Sequence, residues 1–583
     1  MRVRGRLECV AAVPIIAVLA CGPESSALAQ TADYFATPWI APATESPDNV
    51  GSSSRNAYSG LYARAQAQAE PNAPPWTLSE HLGIDEIATD NVADSQDNRG
   101  ADLGSLFSAG AIATANTVRL NGVFSATGVY RQDLEDTALD RFSAYGFARS
   151  QATIIPQSLF FYVRGLADDV SRQGGGIENP LVQTSEQTHL YEISGSPFLH
   201  STIDDFGVNV LRYQIGQVWF ERNTGAVQIP GLTVGPISDS TNQLAREDLQ
   251  VPGTVFPRLL ADVSLSASEN NSGPLGSGDF MRDRGELINE YEVTRSVSAI
   301  GGIGYERLND NEFSNVDGES PVWDVGTRFR PNADSYALLI YGRHDLKSDF
   351  AGELVWRLTA LTNIYAAYTD SITNGQQELI GSSDASELGP EGTLTRVAFD
   401  ESTVIGTLDD ALLSGTPGTG GAVSLVGVPL ADINNALPLQ DGLFRIKELR
   451  ASAHTVIEGN PIRLTILHLE RTQLTQSSSF GGQVGRIETS EGAILSWHPW
   501  LASQLSGLVG LHFEHVNLGT DELLPFIPTS NSDNYGATLG LTWRISRSLT
   551  GIARYDFVYR DAHSSSQSSY ENALTIGLHK TFN

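Results

Sequence analysis

From Trp76 to its last residue the chain is written in a period of two. Segments of about ten residues alternate apolar with polar or small side chains, and each closes on a cluster of Asp, Asn, Gly or Ser. Between Thr117 and Tyr130, Val118, Leu120, Gly122, Phe124, Ala126, Gly128 and Tyr130 fall on one face, while Asn121, Ser125 and Thr127 fall on the other. Successive side chains take opposite faces only in extended backbone, so this texture predicts strands.

Pairs of such segments separated by turn residues predict hairpins. Leu287 to Val293 turns at Thr294-Arg295-Ser296 into Val297 to Tyr305, and Phe444 to Val456 turns at Glu458-Gly459-Asn460-Pro461 into Ile462 to Leu469. Val322 to Phe329 pairs with Tyr336 to Tyr341, and Leu354 to Leu358 with Ile364 to Tyr368. Ala493 to Trp497 pairs with Leu501 to Phe513, and Tyr535 to Trp543 with Leu549 to Tyr559. The expectation is an all-β chain forming a transmembrane antiparallel β-barrel over residues 76–583, with about 16–20 strands. One long interruption, Ser371 to Gln440, is Gly-, Ser- and Leu-rich with a helical piece at Leu408 to Leu413, and it reads as an inward plug or an external lid.

Two features favour a membrane barrel over a soluble β-sandwich. Aromatic residues gather near strand ends, at Trp219-Phe220, Trp323, Trp356, Tyr365 and Tyr368, Trp497 and Trp500, Trp543, and Tyr555-Phe557-Tyr559, as interfacial girdles do. The final segment, Tyr570 to Phe582, alternates up to an aromatic one residue short of the end, in the manner of closing strands taken by the barrel-assembly machinery. Past the N-terminal region no stretch approaches the roughly 18 continuous apolar residues of a membrane helix, a test that barrel strands escape.

At the N-terminus, Arg2, Arg4 and Arg6 precede an apolar run from Val10 to Ala20 and the triplet Ala27-Leu28-Ala29, the three-part layout of a secretory signal over residues 1–29. Cleavage falls between Ala29 and Gln30. Val18-Leu19-Ala20-Cys21 also resembles a lipobox, which would make Cys21 an acylated first residue. The only cysteines are Cys9 and Cys21, so a cut after Ala29 removes disulfides and thiolate chemistry together. Residues 30–75, with runs such as Pro71-Asn72-Ala73-Pro74-Pro75, read as a disordered periplasmic segment.

The net charge is −31, and losing three arginines with Glu8 and Glu24 in the signal makes it −32. Lysine occurs only at Lys347, Lys447 and Lys580, so the clustered positive charge that nucleic acids require is absent. The partners expected are outer-membrane lipid and lipopolysaccharide, the assembly machinery and components of polysaccharide export. Gly-x-Ser-x-Gly, a phosphate loop and His-Glu-x-x-His do not occur, and the chain reads as a non-enzyme with no cofactor and no metal. In His512-Phe513-Glu514-His515 only His512 and Glu514 share a face, and Asp310, Glu312, Asp317 and Glu319 lack the spacing of a calcium loop. Arg328, Arg330, Arg343, Arg357, Arg463, Arg471, Arg544, Arg554 and Arg560 fall in or beside strands. A lipid-facing charge there would cost about 2–4 kcal/mol, so they are expected in the lumen or at the interfaces.

A set of short motifs runs along the strands: Asp90-Asn91-Val92, Tyr291-Glu292-Val293, Gly304-Tyr305-Glu306, Trp323-Asp324-Val325-Gly326 before Arg330-Pro331, Tyr341-Gly342-Arg343, Tyr368-Thr369-Asp370 and Tyr570-Glu571-Asn572. In these and in its layout from Trp76 onward the chain resembles the PEP-CTERM-system-associated outer-membrane proteins, related to barrels encoded beside exopolysaccharide genes. The resemblance implies a porin-like or export-linked barrel of the bacterial outer membrane and no catalytic residues.

Overall fold

The computed structural model describes residues 75–582 apart from several connections, the two longest being 172–186 and 397–441. The signal-peptide reading with its Ala29/Gln30 and Cys21 alternatives, nearly all of the 30–75 segment, and Leu408 to Leu413 lie outside the described residues.

The period-two pattern becomes one antiparallel sheet of 23 strands. One of these, Trp500–Ala502, is a three-residue spur in a connection, and the remaining 22 form the wall. Each wall strand pairs with its neighbours in sequence. The sheet closes where Trp76–Thr89 pairs with Ser569–Phe582, in a register running from Glu80↔Phe582 to Thr89↔Ala573. Closure pairs the two terminal strands with each other, so neither offers a free edge to another chain. The wall exceeds the expected 16–20 strands because several members are interrupted by runs of small residues or Pro. Asp102–Asn116 and Gln187–Ile203 carry Gly, Ser and Ala or Pro at positions that read as turns.

Side chains sort by face as a bilayer demands. Outward positions are apolar and exposed, as at Phe124, Ile303 (66%), Val325 (59%), Leu339 and Ile576, whereas Arg131, Asp248, Glu306 (0%) and Arg471 (1%) point inward and are buried. An apolar exterior around a polar interior is the arrangement of an outer-membrane barrel. Trp497, Trp500, Trp543 and Tyr555 stay exposed as girdle residues, but Phe220 departs from that reading, since its side chain turns inward and is buried.

Connections are short at one end of the barrel and longer at the other, which assigns the short-turn end to the periplasm. The hairpins read from sequence form, most with tight turns, but the partner of Ala493 to Trp497 begins at Leu505, and Leu501 lies in the spur instead. Thr294↔Val297 brackets Arg295-Ser296, and Ile457↔Asn460 brackets Glu458 (φ 52°) and Gly459 (φ 81°). Two positive φ values in succession give a turn whose twist matches the strands it joins; Asn460 and Pro461, expected in the turn, already belong to the strand. The reading of Ser371 to Gln440 as one interruption is corrected at its start, because Ser371 to Asn374 complete the strand Thr362–Asn374. Within it, Ser386–Leu388 pairs with Leu394–Arg396.

Among the long-loop connections, Asp345-Leu346 is a two-residue turn, bracketed by His344↔Lys347. Both residues have positive φ (50° and 64°) with no glycine to relieve them, an arrangement that surrounding contacts must hold.

Candidate functional site

The contacts that hold this turn make the most unusual part of the interior. Pairing between Lys347–Thr359 and Thr362–Asn374 stops at Gly352↔Tyr368. Above that level Thr362–Asn374 keeps its other neighbour, with Tyr368↔Leu449, Asp370↔Lys447 and Ile372↔Arg445 directly opposed. Opposed residues share a face, and Leu449, 41% exposed, marks it as the outer one. Yet Asp370 and Ile372 are buried. Ile372 packs with Phe280, Leu308 and Leu443, and Phe280 and Leu308 project from the inner face of Phe280–Thr294 and Val297–Asp310. The upper ends of Thr362–Asn374 and Leu443–Ile457 therefore pass inside the wall made by those two strands. The barrel laps over itself along a seam, with the Asp345 turn folded inward at its base.

Charged groups fasten the lap. The Ile372 N–H donates to Asp345 Oδ2 (3.0 Å), and its carbonyl accepts from Arg282 Nη2 (3.1 Å). Arg282 also pairs with Asp345 (2.8 Å). Arg445 donates to the Asp345 carbonyl (2.5 Å) and pairs with Asp370 (3.1 Å). Backbone groups left without a strand partner are thus satisfied by side chains. Burial alone would push the Asp345 carboxyl up, but Arg282, the Ile372 N–H, Arg284 and Arg445 outweigh it and hold it below its ordinary range.

Deeper in the same cluster, Arg284 Nη2 forms an ion pair with Glu286 Oε2 (2.6 Å) and donates to His344 Nδ1 (2.5 Å). With Nδ1 accepting, the imidazole proton sits on Nε2 and is donated to Asp324 Oδ1 (2.5 Å). Glu306 accepts the Leu346 N–H at 3.0 Å. Glycines make the space: a Cβ on Gly342 would lie 2.1 Å from Asp324 Oδ1 and 3.0 Å from His344 Nε2, and one on Gly302 would lie 2.8 Å from Asp324 Oδ2.

Elsewhere the buried arginines of the lining pair one to one with single carboxylates at five places. Arg131 with Asp133 (2.6 Å), Arg246 with Asp248 (2.7 Å) and Arg554 with Asp556 (2.7 Å) pair two residues apart on one strand face. Arg328 with Glu290 (2.7 Å) and Arg471 with Glu488 (2.5 Å) pair across strands. Of the arginines singled out in sequence, Arg328, Arg471 and Arg554 are buried in the interior, and Arg343 donates to Ser320 Oγ at 2.9 Å. Arg330, Arg357, Arg463 and Arg544 lie toward the short-turn end and Arg560 toward the other.

The structure does not assemble the other candidates into a site. Glu514 accepts from Ser490 and Asn534, and His515 pairs with Asp533. Glu319 accepts from exposed Tyr305, while Glu312 and Asp317 lie outside the described residues. The seam cluster escaped sequence reading because its members come from six separated segments. The alternation of Gly302 and Gly304 with bulky Ile303, and the Arg-x-Glu spacing of Arg284 and Glu286, were its only local signs.

No known protein family and no curated protein matches the chain. Its fold is similar to that of the FrpB iron transporter from Neisseria meningitidis in the F5-1 apoprotein form (8% identity, TM-score 0.49, 89% of this chain and 83% of that one). It is also similar to the siderophore receptor PirA from Pseudomonas aeruginosa (10%, 0.38, 88% and 81%) and to the ferric-catecholate import receptor Fiu from E. coli K12 (9%, 0.41, 86% and 81%). Closed wall, apolar exterior and charged interior decide the location. This is a bacterial outer-membrane β-barrel.

Proposed function

We propose that the protein serves transport across the outer membrane, as a porin-like or export-associated barrel for hydrophilic solutes or exopolysaccharide. The observation that carries this reading is the charged lining enclosed by a 22-strand wall, since fixed Arg, Asp and Glu facing a lumen suit polar cargo. Barrels of that strand number are wide enough to need an occluding element when they transport. The resemblance of the strand motifs to PEP-CTERM-associated barrels supports the export-linked form, with polysaccharide export components as partners. The assembly machinery would engage the closing strand Ser569–Phe582.

The lapped seam favours a second reading. Apolar packing of Phe280, Leu308, Ile372 and Leu443 inside the barrel narrows it and suits a non-conducting barrel that binds surface polysaccharide or a protein through its loops. Single-channel recording on the full chain in planar bilayers separates the two. Transport predicts discrete steps, with liposome swelling in small sugars; protein folded by heat-modifiable migration that passes neither ions nor sugars favours the binding role.

A further inference from the structure

The buried cluster beside the seam holds more carboxylates than buried guanidiniums. Glu286, Glu306, Asp324, Asp345 and Asp370 face Arg282, Arg284 and Arg445; half-exposed Lys347 reaches Asp370 at 4.0 Å but lies nearer Asp349, at 3.7 Å. Neither Glu306 nor Asp324 has an arginine or lysine within ion-pair distance among the described residues; Arg284 lies among Glu286, Glu306 and Asp324 and shares Asp345 with Arg282 and Arg445. Uncompensated buried charge is costly, and a bound cation is one of the few ways to relieve it.

One place in the cluster fits an ion. Glu286, Asp324 and His344 each offer a ligand atom, all within 4.8 Å of one another, and all three residues are buried. Glu286 Oε1 and Asp324 Oδ2 have no hydrogen-bond partner although their side chains are well over nine-tenths buried. The glycines opposite them keep the space free of Cβ atoms. We propose that Glu286, Asp324 and His344 form a binding site for a divalent first-row transition ion, a set of two carboxylates and one imidazole that suits Mn, Fe or Zn.

His344 coordinates through Nε2. The imidazole proton moves to Nδ1, so no proton is lost, and Nδ1 can no longer accept from Arg284. The guanidinium then turns to Glu306 Oε2, which has no hydrogen-bond partner. Ion and arginine thus share the four carboxylates, and the ion pins three strands and the base of the seam together.

The test is Co²⁺ titration of the refolded full chain in detergent, read by visible absorption, with Zn²⁺ as competitor. One Co²⁺ per chain, displaced by Zn²⁺, is expected. Asp324→Asn and His344→Gln should each weaken binding by at least about tenfold, while Glu319→Gln, at an exposed carboxylate, should leave it unchanged. Arg284→Gln removes the competing cation and should tighten binding. A wild-type barrel that binds no Co²⁺ overturns the site, whatever the variants do. So does binding that both ligand variants retain in full.

Discussion

Arg554 and Asp556 sit two residues apart on one strand and pair with each other, whereas Arg284 is shared among four carboxylates brought in by three strands and a turn. The first arrangement is local and follows from the pleat, since residues i and i+2 share a face. It forms as soon as the strand does. The second depends on register: Glu286 opposes Gly304, Asp324 opposes both Gly302 and Gly342, and His344 closes the turn, so a one-residue slip would scatter it. Paired lining lets charge be buried cheaply around the wall. Shared lining makes one region depend on several others.

The comparison can be pressed hardest with Arg328, whose partner Glu290 lies on a strand two removed. Arg328→Met should destabilise the refolded barrel by about 3–5 kcal/mol by stranding a buried carboxylate, and Arg328→Met with Glu290→Met should recover most of that in urea unfolding. Equal losses in the single and double variants would mean that the pair is not the source. At the seam, Asp345→Asn keeps a residue tolerant of positive φ but removes the charge that Arg282 and Ile372 share. A cost of about 1.5–3 kcal/mol is expected, with faster proteolysis of the hairpin; Asp133→Asn should leave that hairpin's proteolysis unchanged.

Packing gives a smaller contrast. Gly342→Ala pushes a methyl onto Asp324 and His344, and about 1–3 kcal/mol of overpacking should follow. At Gly301, where a Cβ meets nothing within 4 Å, the same change should be close to neutral. If both are neutral, the cluster is looser than its geometry implies.

The smallest effect separates the two ends of the barrel by pH. Burial, then Arg463 and His454, lower the His498 pKa from 6.5 to about 4. A depressed folded value means that the unfolded state takes the proton first. The stability His498 contributes is therefore complete above pH 6.5 and drains away as pH falls toward 4. Asp345, also depressed, contributes above its ordinary value of 3.8 and loses that only below it. Hydrogen exchange, corrected for its intrinsic pH dependence, should rise around residues 498–504 between pH 6.5 and 4 while Ile372 stays protected. His498→Gln should flatten the response, and an Ile372 amide that opens first would reverse the assignment.

Most of the wall was legible because a membrane barrel writes its two faces directly into alternate residues. Leu287 to Tyr305 and Phe444 to Leu469 were readable as hairpins from turn chemistry alone. The count fell short where small residues and Pro cluster, as at Ser194-Gly195-Ser196-Pro197 within Gln187–Ile203, since such a run resembles a turn. The seam was not legible at all. Tyr336 to Tyr341 and Leu354 to Leu358 were visible as strands, but nothing in His344-Asp345-Leu346-Lys347 announces a turn, because its positive φ values are imposed by Arg282, Ile372 and Glu306 from a distance.

The join between Trp76–Thr89 and Ser569–Phe582 separates two timescales in the life of the chain. Every other strand pairing in the wall links neighbours in chain order and can zip up strand by strand, with less entropy lost at each step. Asp90 with Asn572, and Asp85 with His579, lie more than four hundred residues apart and cannot form until all the intervening hairpins stand. Until then two strands carry unsatisfied backbone groups beside a bilayer that cannot satisfy them. Maturation of the barrel therefore has one late, all-or-none event, and a fault anywhere along the ladder is reported as failure at that single joint.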